Sequence, residues 1–188
     1  MAPIVKGDRS FFSLLLLLTC LAKLLHASAA ADGAAWYQIG AAIPGKANDN
    51  IIEVHICKNG TRSVVNHWLG GVLRIYDLQD DGSWSPTSEI SMTGRSLSFS
   101  SDCKRLAFGD WSHNSYSGIV RVWEENDTDG TWNQVGKEIV GSAGEWLGSV
   151  SLSSDGNRLA VGAFYSDRGG TESGLAQIYE YDAVYPDR

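Results

Sequence analysis

From residue 36 onward the apolar residues keep a period of two. In Val150-Ser-Leu-Ser and Leu97-Ser-Phe-Ser they alternate with small polar residues, as a half-buried strand requires. A few residues later, Arg158-Leu-Ala-Val-Gly162 and Arg105-Leu-Ala-Phe-Gly109 are continuously apolar, which suits a strand covered on both faces. Between such runs, Asn59-Gly60 and Asp155-Gly156 supply the positive φ angles of a tight hairpin turn. Further β-rich segments follow at Val72 to Asp77, Ile119 to Trp123 and Ala176 to Tyr181. No stretch after residue 35 carries the apolar stripe of an amphipathic helix. The pattern predicts an all-β chain.

The strands recur as a unit. Trp36, Trp84 and Trp132 stand 48 residues apart, twice in succession, and a period of 20–50 residues marks a repeat architecture. Laid over one another without a gap, the copies place Asn59, Asp102 and Asp155 in one slot. Arg62, Arg105 and Arg158 share another, and Val65, Phe108 and Val161 a third. The segment from Trp36 to Ile39, matched by Trp132 to Val135, adds a strand at the head of a copy. About four strands per copy of this length make a β-propeller blade. The expected architecture is therefore a propeller-like array of three four-stranded repeats, over residues 36–83, 84–131 and 132–181. Propellers close with about four to eight blades. Three copies read as an incomplete propeller: part of a longer array, an open stack, or a ring completed by self-association.

Residues 1–30 read differently. Lys6 and Arg9 give a basic start, Phe11 to Ala22 is a leucine-rich apolar run, and Ala27 to Ala31 offers small residues for cleavage. The expectation is a signal peptide over 1–30, a mature domain over 31–188, secretion, and no membrane association after cleavage; the alternative is an uncleaved membrane anchor, against which Lys23 interrupts a short apolar run. Cleavage removes Lys6, Arg9, Lys23 and Asp8, so a formal charge of −7 becomes about −9. An acidic domain with scattered arginines is a poor nucleic-acid binder. Cys57 and Cys103 remain, in different repeat slots; in an oxidising compartment they either pair or stay as separate thiols. Asn59-Gly-Thr and Asn126-Asp-Thr are glycosylation sequons in predicted turns.

The run from Leu147 to Ala163, followed by Gly174 and Gln177-Ile-Tyr-Glu-Tyr181, resembles the FG-GAP-type repeat. That repeat builds the propeller of integrin α-chains and occurs in many secreted proteins. The resemblance implies an extracellular module that binds a protein or a glycan and performs no catalysis. It departs from the family in its turns: the Ser-Ser-Asp-Gly turn lacks the carboxylates of the family's calcium loop. The nearest match lies elsewhere, at Glu125, Asp127 and Asp129, with Gly130 for the sharp turn such a loop needs. It reads either as a calcium site or as an acidic hairpin, and no other cofactor is expected.

Three residues beyond the shared apolar slot stand Trp68, Trp111 and Phe164, with His67, Asp110, Tyr165 and Asp167 among their polar neighbours. Equivalent propeller loops emerge on one face, so these side chains either form a rim for a ligand or wedge between blades. Catalytic patterns are missing: His55, His67 and His113 show no metal-ligand spacing, and no Gly-x-Ser-x-Gly elbow occurs. The alternative function is a sialidase-like propeller glycoside hydrolase, which would need a suitably separated carboxylate pair.

Overall fold

The computed structural model describes residues 35–47, 49–92 and 94–183. The expected signal segment, residues 1–30, lies outside the described residues. The described residues from Ile39 onward form one compact unit, and residues 35–38 fall outside it. Among the described residues no helix is long and apolar enough to cross a membrane.

Among the described residues eleven strands make three antiparallel sheets. The first holds β1 (Ile51–Ile56), β2 (Arg62–His67), β3 (Val72–Leu78) and β4 (Trp84–Ile90) in sequence order. The second holds β5 (Ser96–Phe99), β6 (Arg105–Asp110), β7 (Ile119–Glu125) and β8 (Trp132–Val140). β9 (Leu147–Leu152), β10 (Arg158–Ala163) and β11 (Leu175–Glu180) form the third, which has no fourth strand among the described residues. This is a propeller-like array of up-and-down blades.

The repeat slots reappear as geometry. The first hairpin of each sheet closes with the same backbone bond, Cys57 N–H to Arg62 O, Ser100 N–H to Arg105 O and Ser153 N–H to Arg158 O, at 2.8–2.9 Å. Each turns through a residue of positive φ, Gly60 at 73°, Cys103 at 64° and Gly156 at 71°. The tryptophan strands need correction. Trp84 and Trp132 open strands that pair backward, with Leu78 and Glu125 of the preceding strand, so they end a blade and do not begin one. Trp36 to Ile39, expected as a strand, has no regular secondary structure.

Apolar residues on facing sheets fill two cores. Val64, Leu73, Ile75 and Ile90 of the first sheet meet Leu97, Phe99, Leu106 and Phe108 of the second. On its other face the second sheet offers Ala107, Val120, Val122 and Ile139 to Val150, Leu152, Leu159 and Val161 of the third. These are the same positions shifted by one blade, so each sheet has a leading face and a trailing face. The repeated arginine bridges them. Arg62 is bidentate to Asp77 (2.6 and 3.0 Å) and reaches Glu125 (2.6 Å) and the Cys103 carbonyl (3.3 Å) of the next sheet. Arg105 repeats this with Glu124 at 3.0 Å and the Gly156 carbonyl at 3.1 Å.

Candidate functional site at the loop end

Antiparallel order sends the β2–β3, β6–β7 and β10–β11 loops, and the β4–β5 and β8–β9 links, to one end of the sheets. The hairpin turns and their arginines lie at the other. The loop end gathers Trp68, Arg95, Trp111, Tyr116, Trp146 and Tyr165 into one stack across all three sheets. The Arg95 guanidinium carbon lies 4.2 Å from the Trp68 ring centre and 4.4 Å from that of Trp111, clamped between the two faces. Trp146 lies parallel to Trp111 and to Tyr116, each at 4.6 Å. Tyr165 meets Trp146 edge-on at 5.1 Å.

Backbone of unusual conformation holds the stack. Asn114, Ser115, Tyr116 and Trp146 all have φ between 42° and 60°. Left-handed backbone costs a non-glycine residue about 1–2 kcal/mol. Such residues persist where their surroundings over-determine them. Here the Trp146 N–H donates to the Tyr116 carbonyl at 2.8 Å, joining the two strained loops.

Beside the stack an open groove of about 870 Å³ is lined by Glu145, Trp146, Tyr165, Asp167, Arg168 and neighbouring loop residues. The buried Glu145 carboxylate organises it, accepting from the Ser142 N–H (2.8 Å), the Ser166 hydroxyl (3.0 Å) and the Arg168 Nε (3.2 Å). The Ser142 N–H above all, with Ser166 and Arg168 against the counter-effect of burial, holds this carboxyl below the usual glutamate range.

The expected rim residues divide. Trp68, Trp111 and Tyr165 come together, but the facing surfaces of Trp68 and Trp111 are taken up by Arg95, so these two wedge between blades. Phe164 stands apart and 57% exposed. His67 is corrected outright: it ends β2, is fully buried, and its Nδ1 lies 2.6 Å from the Asp49 carboxylate. Asp110 accepts locally from the Ser112 N–H and hydroxyl, and Asp167 from the Glu172 N–H. Arg95, Tyr116, Trp146 and Glu145 join the site without a signal in the repeat pattern. They occupy no shared repeat slot and sit in loops of unequal length.

The acidic hairpin does not gather into a cation site. Glu125 is drawn to Arg62, Asp127 pairs with Lys104, and Asp129 accepts from the Thr131 N–H and hydroxyl. Among the described residues no cluster of three metal-ligating side chains occurs. Cys57 and Cys103 are joined in a disulfide between the first and second sheets, with Cα atoms 5.5 Å apart. Asn59 and Asn126 are exposed in turns at the end opposite the aromatic stack.

No protein-family model and no curated protein matches the chain. Solved structures match in fold. A candidate 6-phosphogluconolactonase from Bacteroides uniformis is 18% identical with a TM-score of 0.50, the match covering 70% of this chain and 36% of that one. The β-propeller domain of Cps50 (Swd1) from Myceliophteria thermophila is 13% identical with a TM-score of 0.51, over 70% and 38%. The chain thus spans little more than a third of the length of these neighbours. At such identities the likeness is one of fold, and the fold is that of the β-propeller.

Proposed function

We propose that the chain is a secreted or cell-surface binding module of FG-GAP-like type, taking a glycan or a protein surface at the loop end of its sheets. The observation that carries this reading is the solvent-facing Tyr165 ring on the wall of the charged groove at Glu145 and Arg168, with the exposed Tyr116 ring stacked on the groove's Trp146. Sugar C–H faces stack on such rings while their hydroxyls bond to neighbouring polar groups, and rings of this kind also anchor protein partners. The strained backbone at Tyr116 and Trp146 supports the same place, since strain concentrates at functional sites. Both sequons lie at the other end, where attached sugars leave the groove clear. A buried disulfide and the leucine-rich leader favour an oxidising, extracellular setting.

A binding role fits this groove better than hydrolysis. A glycosidase acid needs a raised carboxyl value, whereas Glu145 is held down and spent on three hydrogen bonds. Glycan arrays probed with the full secreted chain test the reading, followed by titration of the best hit. Tyr165→Ala should weaken that hit at least about tenfold, 1.4 kcal/mol, at unchanged melting temperature. Equal affinity in the variant removes the rim from the site. Hydrolysis of a bound glycan, lost in Glu145→Gln, would replace binding with catalysis.

A further inference from the structure

We infer that Arg95 binds an oxyanion, and that the ligand of the loop end is a glycan carrying a uronic-acid carboxylate. This deepens the binding reading above and rests on it. The carrying observation is a cation without a counter-ion. The other six arginines among the described residues each pair with an aspartate or glutamate, at 2.5–3.2 Å. Among those residues Arg95 has no such partner, and its Nε is buried with no acceptor.

The chain fixes this guanidinium in place. Gly94 lies against the Phe108 ring, where a Cβ would collide, and its carbonyl accepts from the buried Asn66 side-chain amide. The Arg95 N–H donates to the Gly109 carbonyl at 2.7 Å. Trp68 and Trp111 then clamp the guanidinium, their ring centres 4.2 and 4.4 Å from its carbon. Ring faces attract the cation but leave its in-plane N–H donors unmet. A guanidinium carries a permanent charge and five donors in a planar fork. With its faces against indoles, the in-plane edge is what remains for a ligand. Arg95 is only half-buried, so that edge is open to solvent.

Two parallel N–H groups on one edge are matched by an anion that accepts both. Between indole walls the pair stays coplanar, which suits a flat carboxylate better than a tetrahedral sulfate or phosphate. What adjoins Arg95 indicates the carrier. Trp111 passes the stack on to Trp146 and to Tyr116, which is 47% exposed. A uronic acid bears its carboxylate directly on the sugar ring. Pairing at Arg95 therefore sets neighbouring sugars beside this aromatic surface, where their C–H faces stack. Carboxylates already at this end are turned elsewhere. Asp110 accepts from the Ser112 N–H and hydroxyl at 2.9 and 2.6 Å, and Glu145 is held by Ser142, Ser166 and Arg168.

The probe is tetragalacturonate, with its methyl ester as the uncharged control, each titrated by calorimetry against the full chain. Wild type should bind the acid at least about tenfold more tightly than the ester. That advantage should shrink as salt rises from about 0.05 to 0.5 M. Arg95→Gln should abolish it, and Arg95→Lys, which keeps the charge without the planar fork, should restore only part. Because Arg95 also joins two blades, the wild-type chain supplies a second readout. Phenylglyoxal, which labels arginine side chains, should modify Arg95 more slowly in the presence of the acid, while Arg158 at the opposite end keeps its rate. No binding of the acid, equal affinity for acid and ester, or an unprotected Arg95 overturns the inference. Binding of a hexaglutamate peptide in place of the uronate overturns the glycan in favour of an acidic protein partner. Neutral glycans that bind wild type and Arg95→Gln alike would remove Arg95 and leave the loop-end reading standing. Uronate binding lost in Arg95→Gln but unchanged in Tyr165→Ala would keep Arg95 and remove the groove.

Discussion

Between the first and second sheets contact is made by large side chains and a covalent bond, whereas between the second and third smaller side chains are joined by direct backbone contacts. The first interface packs Phe99 and Phe108 against Leu73 and Ile75 and closes with Cys57–Cys103. In the second, Ala107, Val120 and Ala163 fill the middle, and glycines bring the chains together above them. Gly118 forms a parallel bridge with Leu147, and the Leu147 N–H donates to the Ser117 carbonyl at 3.2 Å. The repeat dictates which positions face one another but not how the gap is filled. Where side chains are small the backbones also bond directly; where they are large a disulfide makes the tie.

That contrast breaks most readily at the disulfide. With the cysteines 46 positions apart in sequence, the chain-entropy view assigns the bond roughly 4 kcal/mol of stability. Cys57→Ala with Cys103→Gly is the appropriate removal, because position 103 has a φ of 64° and its slot mates are glycines. Urea unfolding of this variant should show the full loss. A loss below about 1 kcal/mol would mean that the aromatic core alone holds the first interface.

The second interface breaks at a glycine. A Cβ on Gly109 would overlap the Gly148 carbonyl, a backbone atom that cannot swing aside. Gly109→Ala should cost about 3 kcal/mol through overpacking, although alanine adds only a methyl group. Hydrogen exchange should then report faster opening at β9 and β10 than at β2 and β3. Uniform opening across all sheets would show that the interfaces are not independent.

Much of this was legible in the residues. Period-two alternation located the strands after residue 50, and the gap-free slots foretold equivalent hairpins. The phase of the blades at Trp84 differs from the expectation, and its signal is local: Gly82-Ser-Trp84 is a short turn, and a short turn makes its strand pair with the one before it. His67 departs from the loop expected around Trp68, because β2 runs to His67 and buries it against Asp49. The stack was half legible. Trp68 and Trp111 share a slot, while Arg95 and Trp146 reach it from links whose sequence carries no repeat. Contacts between distant loops leave no local trace.

Acid separates the two regions by a smaller effect. The Glu145 carboxylate ties the β8–β9 link to the β10–β11 loop, beside the second interface, and its value is lowered from the ordinary 4.5, the Ser142 N–H being the largest cause. A lowered carboxyl contributes stability that is fully present above the unfolded value and is lost as pH falls through the folded one. The contribution should therefore be complete above pH 4.5 and fade below it. Glu145→Gln keeps the size and loses the charge, so wild type should exceed it by about 1–2 kcal/mol at pH 6, with the difference vanishing in stronger acid. The disulfide at the first interface does not titrate, so acid should loosen the Trp146 loop while the first and second sheets stay joined. Tryptophan fluorescence from the stack follows that loosening. A gap between wild type and Glu145→Gln that stays constant from pH 6 to strong acid would mean the glutamate acts through shape, and the loop end has no acid-labile tie.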